Sequence, residues 1–386
     1  MGVDSHAERY LRLGLELGRH GDDIVDAYFG PPELKAAAAA ADPVDPARLA
    51  TSAEELLAEL DDGWLRDQVS GVRAYAEVLA GVSRPYAEEV EACYLLRPER
   101  TDEAVFAEVH ERLEELLPGP GTLAERYDAF RKASFVPRER VEQVTGDVIE
   151  TARRCTRELV DLPDREGVDV EIVHDVPWMG YCGYAGGLRS QISINGDLSL
   201  SFIDLVRLVI HETYPGHHVE RSLKDGLLVR ERGLLEESIV LLPTPQSVIA
   251  EGIATIAPSV LLDRTPQAFA DVAAAIGIEI DFPRAVAVEA ALEEAGWVEL
   301  NAAHMLYADG KGEDEVRAYF ERWALLDAEF SAHAVRFLRG TTNRAYVACY
   351  PTGRELCSAY VAGDPARFRR LLSEQVRVGE LLAAAG

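Results

Sequence analysis

The sequence predicts a mainly α protein: a large helical body with a small β-sheet beside a metal-binding helix. Apolar residues recur at three- and four-residue steps over about the first 160 positions and again from about 247 to 384. Between these stretches the pattern switches to alternation in "VDVEIVHDVP" and "RSQISING", and a helix carrying "HETYPGHH" follows at once.

Taken in order, "AERYLRLGLELGRH", "SAEELLAELDDGWLRDQV" and "TDEAVFAEVHERLEELL" read as amphipathic helices, with breaks at "FGPPEL", "DPVDP" and "LPGPGT" where Pro and Gly cluster. The run "AAAAAA" before Asp42 reads as a helix end. A long amphipathic helix is expected over 136–163, ending at Pro163. Two or more short strands follow, separated by "WMGYCGYAGG", whose aromatics and glycines suit a loop packed close to something. Ser201 or Asp204 caps the next helix, which carries His211 and Glu212. Residues 1–165 form a helical N-terminal region and 166–386 a metal-binding region, within one continuous globular body.

The 386 residues are 48% hydrophobic and 27% charged, the composition of a soluble folded chain. A net charge of -28 repels phosphate backbones and anionic headgroups, so neither nucleic acid nor a membrane surface is expected as partner. The five cysteines, Cys93, Cys155, Cys182, Cys349 and Cys357, are scattered and never in C-x-x-C spacing. Together with an N-terminus unlike a signal peptide, they predict a cytoplasmic protein. No stretch approaches the length of an apolar membrane span. Oligomeric state is left open.

Three of the nine histidines lie within "HETYPGHH". In a zinc-binding helix, two histidines at i and i+4 share a face, and the glutamate at i+1 activates water. Here the i+4 position is Pro215, which cannot ligate a metal and removes a helical N–H. His218, at i+7, returns to the face of His211 but lies about 10.5 Å along an unbroken axis. His217 faces away. A shared ion therefore needs a local break, and Pro215-Gly216 suits one. A bulge of two residues brings in His217 and a bulge of three brings in His218; economy favours the first. The remaining ligand expected of a catalytic zinc is Glu251 in "TPQSVIAEGIATIAPSV". Its neighbours Val248, Ile249, Ile253 and Ile256 predict burial, Ser247 reads as the helix cap, and Ala250, Gly252 and Ala254 leave room for another helix.

At these residues the chain resembles the bacterial family catalogued as domain of unknown function 885, grouped with the glutamate-ligand zinc peptidases. Its pattern is H-E-x-x-P-G-H-H followed by an E-G segment, seen here as "HETYPGHH" and "AEGIATIA". The resemblance runs from "PWMGYCGYAGGLRSQISINGDLSL" to "TNRAYVACYPTGREL". It implies that His211, one or both of His217 and His218, and Glu251 hold Zn2+, that Glu212 is the base, and that "RSQISING" is an edge strand for extended substrate. Where many members read E-G-W-A-x-Y, this chain has Ile253 and Ile256 in place of both aromatics.

The predicted activity is zinc-dependent hydrolysis, with small peptides as substrates. Hydrolysis of a non-peptide amide and a non-catalytic helical metal-binding protein are the alternatives. A closed structural site would call for a fourth protein ligand, often Cys, and no cysteine lies near the motif. The oxyanion donor is sought in "RAYVACYPTGRE". Tyr350, beside Pro351 and Gly353 where a helix end can open, is preferred over Tyr346, with His304, Arg344 and Arg354 behind them.

Overall fold

The computed structural model describes residues 5–385. Met1 to Asp4 and Gly386, onto which the N-terminal reading and the two regional boundaries extend, lie outside them. The chain is 64% helix and 8% strand, so it is mainly α.

The N-terminal half is built of helices whose starts the sequence marks. Ser5 Oγ accepts from Glu8 N–H at the head of His6–Leu17, and Asp102 does the same for Glu103–Leu116. Thr122 and Glu125 form a capping box on Leu123–Lys132. "SAEELLAELDDGWLRDQV" is two helices rather than one, Pro46–Glu59 and Trp64–Leu79, with Gly63 at the join. The helix expected over 136–163 is shorter, Val141–Thr156, preceded by a 3-10 turn at Arg138–Arg140.

Among the described residues, five short strands make two sheets. Strand β1 (Val25–Tyr28) pairs antiparallel with β5 (Ile239–Leu241), joining the N-terminal helices to the second half of the chain. In the other sheet β2 (Gly167–Val173), β4 (Arg189–Asn195) and β3 (Gly180–Gly186) lie in that order. Val168 is opposite Ser190 in the parallel β2–β4 pair, and Cys182 opposite Ile192 in the antiparallel β4–β3 pair.

Two expectations are corrected here. "WMGYCGYAGG" is not a loop: most of it is β3, turned into β4 through Gly186 and Gly187, both in the left-handed region at φ 76° and 67°. "RSQISING", in turn, is no edge strand. As β4 it is bonded on both sides, and the outer position beside the helix of His211 belongs to β3. Gly180 lies against that helix so closely that a Cβ would sit 2.8 Å from Leu208 Cδ1 and 3.3 Å from Glu212 Cγ.

Among the described residues, the larger of two buried apolar clusters runs from Tyr10 to Leu381. At its centre the helix Gln246–Leu262 crosses Cys349–Val361 backbone against backbone. A Cβ on Gly252 would meet the Gly353 carbonyl oxygen at 2.5 Å, and one on Gly353 would meet that of Val248 at 2.3 Å. The space predicted around Gly252 is thus filled by a helix. Ser247 is not the cap: Gln246–Leu262 starts behind Pro245, and Ser247 lies in its first turn. Among the described residues, no helix is long and apolar enough to cross a membrane.

Candidate metal centre

The helix Phe202–Glu212 delivers His211 and Glu212 at its last two positions. Ser201 and Asp204 together make its capping box: Asp204 N–H donates to Ser201 Oγ (3.2 Å) and Ser201 N–H to Asp204 Oδ2 (3.1 Å). The chain then breaks for four residues, with the Tyr214–Pro215 peptide cis, and resumes as the helix His217–Lys224. Across the break, Gly216 N–H bonds to Ile210 O (3.2 Å) and Val219 N–H to Thr213 O (3.3 Å). Both span six residues where a helix spans four, so two extra residues are accommodated. His217 accordingly stands where an i+4 histidine would.

Gly216 is required by space. Its φ of -79° is open to any residue, yet a Cβ would lie 1.8 Å from the His211 carbonyl oxygen and 2.6 Å from that of Ile210. The break closes so tightly on the preceding helix end that no side chain fits.

His211, His217 and Glu251 converge, with one donor atom from each within 4.8 Å of the others. His211 Nε2 lies 3.4 Å from Glu251 Oε2, and His217 Nε2 lies 3.4 Å from Glu251 Oε1. The two imidazoles meet edge to face at 4.8 Å. Tetrahedral zinc with bonds of about 2.0–2.1 Å sets its ligand atoms roughly 3.4 Å apart, so these residues fit such an ion. Glu251 is 3% exposed, and its Oε2 has no hydrogen-bond partner. An orphaned carboxylate oxygen in a dry site is costly without a cation. Burial would raise the Glu251 pKa, but His217 and His211 outweigh it and hold the carboxyl well below its ordinary range. Tyr346 Oη donates a short hydrogen bond to Glu251 Oε1.

Glu212 sits beside this cluster, buried at 6% exposure between its helix and Gly180. Burial, reinforced by Glu251 and Asp26 and opposed by His211, pushes its carboxyl up to about 7. Half-buried Tyr350 lies parallel to the His211 ring at 6.4 Å and edge-on to Tyr346 at 5.6 Å. Burial and the nearby Glu251 carboxylate raise its phenol well above its ordinary value, so it stays protonated as a donor. Among the described residues its Oη has no hydrogen-bond partner.

The other candidates fall elsewhere. His218 is fully buried and faces away from the cluster, with Nδ1 2.8 Å from Ser190 Oγ and Nε2 3.2 Å from Glu166 Oε2. His304 packs edge-on against Tyr86 at 5.0 Å. Arg344 pairs with Glu89 (2.9 Å) and Arg354 with Glu293 (3.2 Å).

Sequence reasoning missed Glu166, and also Asp26, which pairs with Arg221 at 2.9 Å between β1 and the His217 helix. Both partners of that pair are nearly dry and close enough to Glu212 to act on its charge. No local pattern marks either residue: Glu166 sits in "DREG" and Asp26 in "IVDAY".

Compared with known proteins, the chain matches no family model and no curated protein. It is similar in fold to a solved structure described as "the putative lipoprotein from Colwellia psychrerythraea", with a TM-score of 0.56 at 14% identity. The likeness covers 87% of this chain and 66% of that one, so this chain spans less than two thirds of its neighbour. At that identity the match speaks for the fold alone.

Proposed function

We propose that the chain is a zinc-dependent hydrolase, a metallopeptidase of small peptides, with His211, His217 and Glu251 as metal ligands. The observation that carries this reading is the convergence of those three groups, at spacings suited to one tetrahedral ion, beside the buried carboxyl of Glu212. A divalent ion held there supplies Lewis acidity toward a scissile carbonyl and acidifies water. Three protein ligands leave a position open, as a catalytic site needs and a structural one does not.

Within this reading Glu212 takes the proton from the attacking water and passes it to the leaving amine. Tyr350 donates a hydrogen bond from its phenol to the developing oxyanion, and Tyr346 holds Glu251 in place. His218, committed to Ser190 and Glu166, is not a ligand. The five cysteines are free and buried, which supports a reducing compartment and hence the cytoplasm. The net charge of -28 supports a substrate other than nucleic acid.

Metal content tests the reading. By plasma mass spectrometry, untagged wild-type protein is expected to carry about one zinc per chain and Glu251→Ala less than a tenth of that. A wild type that neither carries nor takes up zinc would sink it. Digestion of a peptide library then separates a peptidase from an amidase of non-peptide metabolites, since an amidase would leave every member whole. For Tyr350→Phe, a kcat roughly 10²–10³ lower with zinc content unchanged is the expected result. Unaltered kcat would assign the oxyanion to another donor.

A further inference from the structure

Tyr214, just before Pro215-Gly216, and His218, two residues after it, are both held by one carboxylate, that of Glu166. Tyr214 Oη donates a short hydrogen bond to Glu166 Oε2, and His218 Nε2 lies 3.2 Å from the same oxygen. The other oxygen accepts from Arg153 Nε at 2.8 Å, while Arg153 also reaches the Glu166 main-chain carbonyl at 3.1 Å. Glu166, Tyr214 and His218 are 3%, 0% and 0% exposed.

An ionised carboxylate only accepts, so His218 Nε2 donates to Glu166, while its Nδ1 is hydrogen-bonded to the Ser190 hydroxyl 2.8 Å away. Both ring nitrogens of His218 thus have partners, Glu166 on one side and Ser190 on the other. Burial would raise Glu166, but hydrogen bonds from His218, Tyr214 and Arg153 bring it to about 2. Ionised Glu166 is therefore anchored to the helix Val141–Thr156 through Arg153 and grips the break at both ends.

We infer that Glu166 is a positioning residue for the metal centre: by binding Tyr214 and His218 it fixes the two-residue insertion, so that His217 rather than His218 faces Glu251. The inference rests on the metal reading above. His217 and His218 are adjacent, and a shift of one residue would exchange them. The difference between the two registers lies in which imidazole Glu166 retains. Neither Glu166 nor Tyr214 belongs to the convergent cluster, so both act through the ligands they hold in place.

The test is a zinc titration against a chromophoric chelator, together with the visible spectrum of the Co2+-loaded protein, for wild type, Glu166→Gln and Tyr214→Phe. Glu166→Gln is expected to bind zinc roughly 10- to 100-fold more weakly, the loss typical when a group supporting a ligand is removed, and to show an altered Co2+ spectrum. Tyr214→Phe should move both readouts in the same direction by less. It deletes only a hydroxyl, so it decides the matter if Glu166→Gln fails to fold. A purely structural role would lower the unfolding midpoint and leave the affinity and spectrum of the folded protein unmoved. Zinc affinities within twofold of wild type and unchanged spectra would overturn the inference. A wild type that binds no zinc would remove the metal reading itself, and this inference with it.

Discussion

Glu212→Gln is expected to lower kcat/KM on a cleaved peptide by roughly 10²–10⁴-fold while leaving zinc content at the wild-type level. Glutamine has nearly the shape of glutamate and cannot take up a proton. Because Glu212 lies outside the convergent donor set, its loss as a base should spare metal binding by the proposed ligands His211, His217 and Glu251. Activity within tenfold of wild type would pass the role of base to another group.

The same variant has a second signature in metal-free protein. The Glu212 carboxyl is raised from its ordinary 4.5 to about 7, chiefly by burial. A group raised on folding contributes stability that is complete below about pH 4.5 and is lost as pH climbs through 7. The loss is on the order of 3 kcal/mol. Wild type should therefore lose stability relative to Glu212→Gln between pH 5 and pH 8, as read from urea midpoints. A wild-type-minus-variant difference equal at both pH values would contradict the buried position of this carboxyl.

Gly216→Ala is expected to cost roughly 3 kcal/mol or more of stability and most of the bound zinc. The added Cβ would meet the His211 carbonyl oxygen at 1.8 Å. Nothing at that point can rotate away, because the obstacle is backbone. The break has to open, which carries His217 off the His211 side and separates two of the three converging groups. A variant with wild-type zinc and an unfolding midpoint within a degree or two of wild type would show that the break is not closed in this way. Gly226, in contrast, has open space around its missing Cβ and serves as the control position.

What was legible in the sequence follows from where the physics is local. Helical periodicity, the Ser201 cap, the burial of Glu251 among isoleucines and valines, and the room at Gly252 are all determined within a few turns of chain. The choice of His217 was also accessible, since it follows from helix geometry and the least bulge that proline permits. Strand β3 was not, because a glycine-rich segment carries little strand propensity and becomes a strand by pairing with β4. Strand β1 pairs with β5 across more than 200 positions and leaves no periodic trace. Glu166, in a polar stretch that reads as a turn, is dry only because Tyr214, His218 and Arg153 converge on it. Tyr346 was one of two candidate phenols, and only folding shows that it grips Glu251 while Tyr350 lies over His211.

The crossing of Gly252 and Gly353 bears on how the molecule can move. Where two helices touch backbone to backbone, there are no side chains between them to change rotamer or slide, and the pair behaves as one rigid beam. Glu251 lies one residue from that contact and Tyr350 three, so carboxylate and phenol ride on the same beam and keep their separation whatever the rest of the chain does.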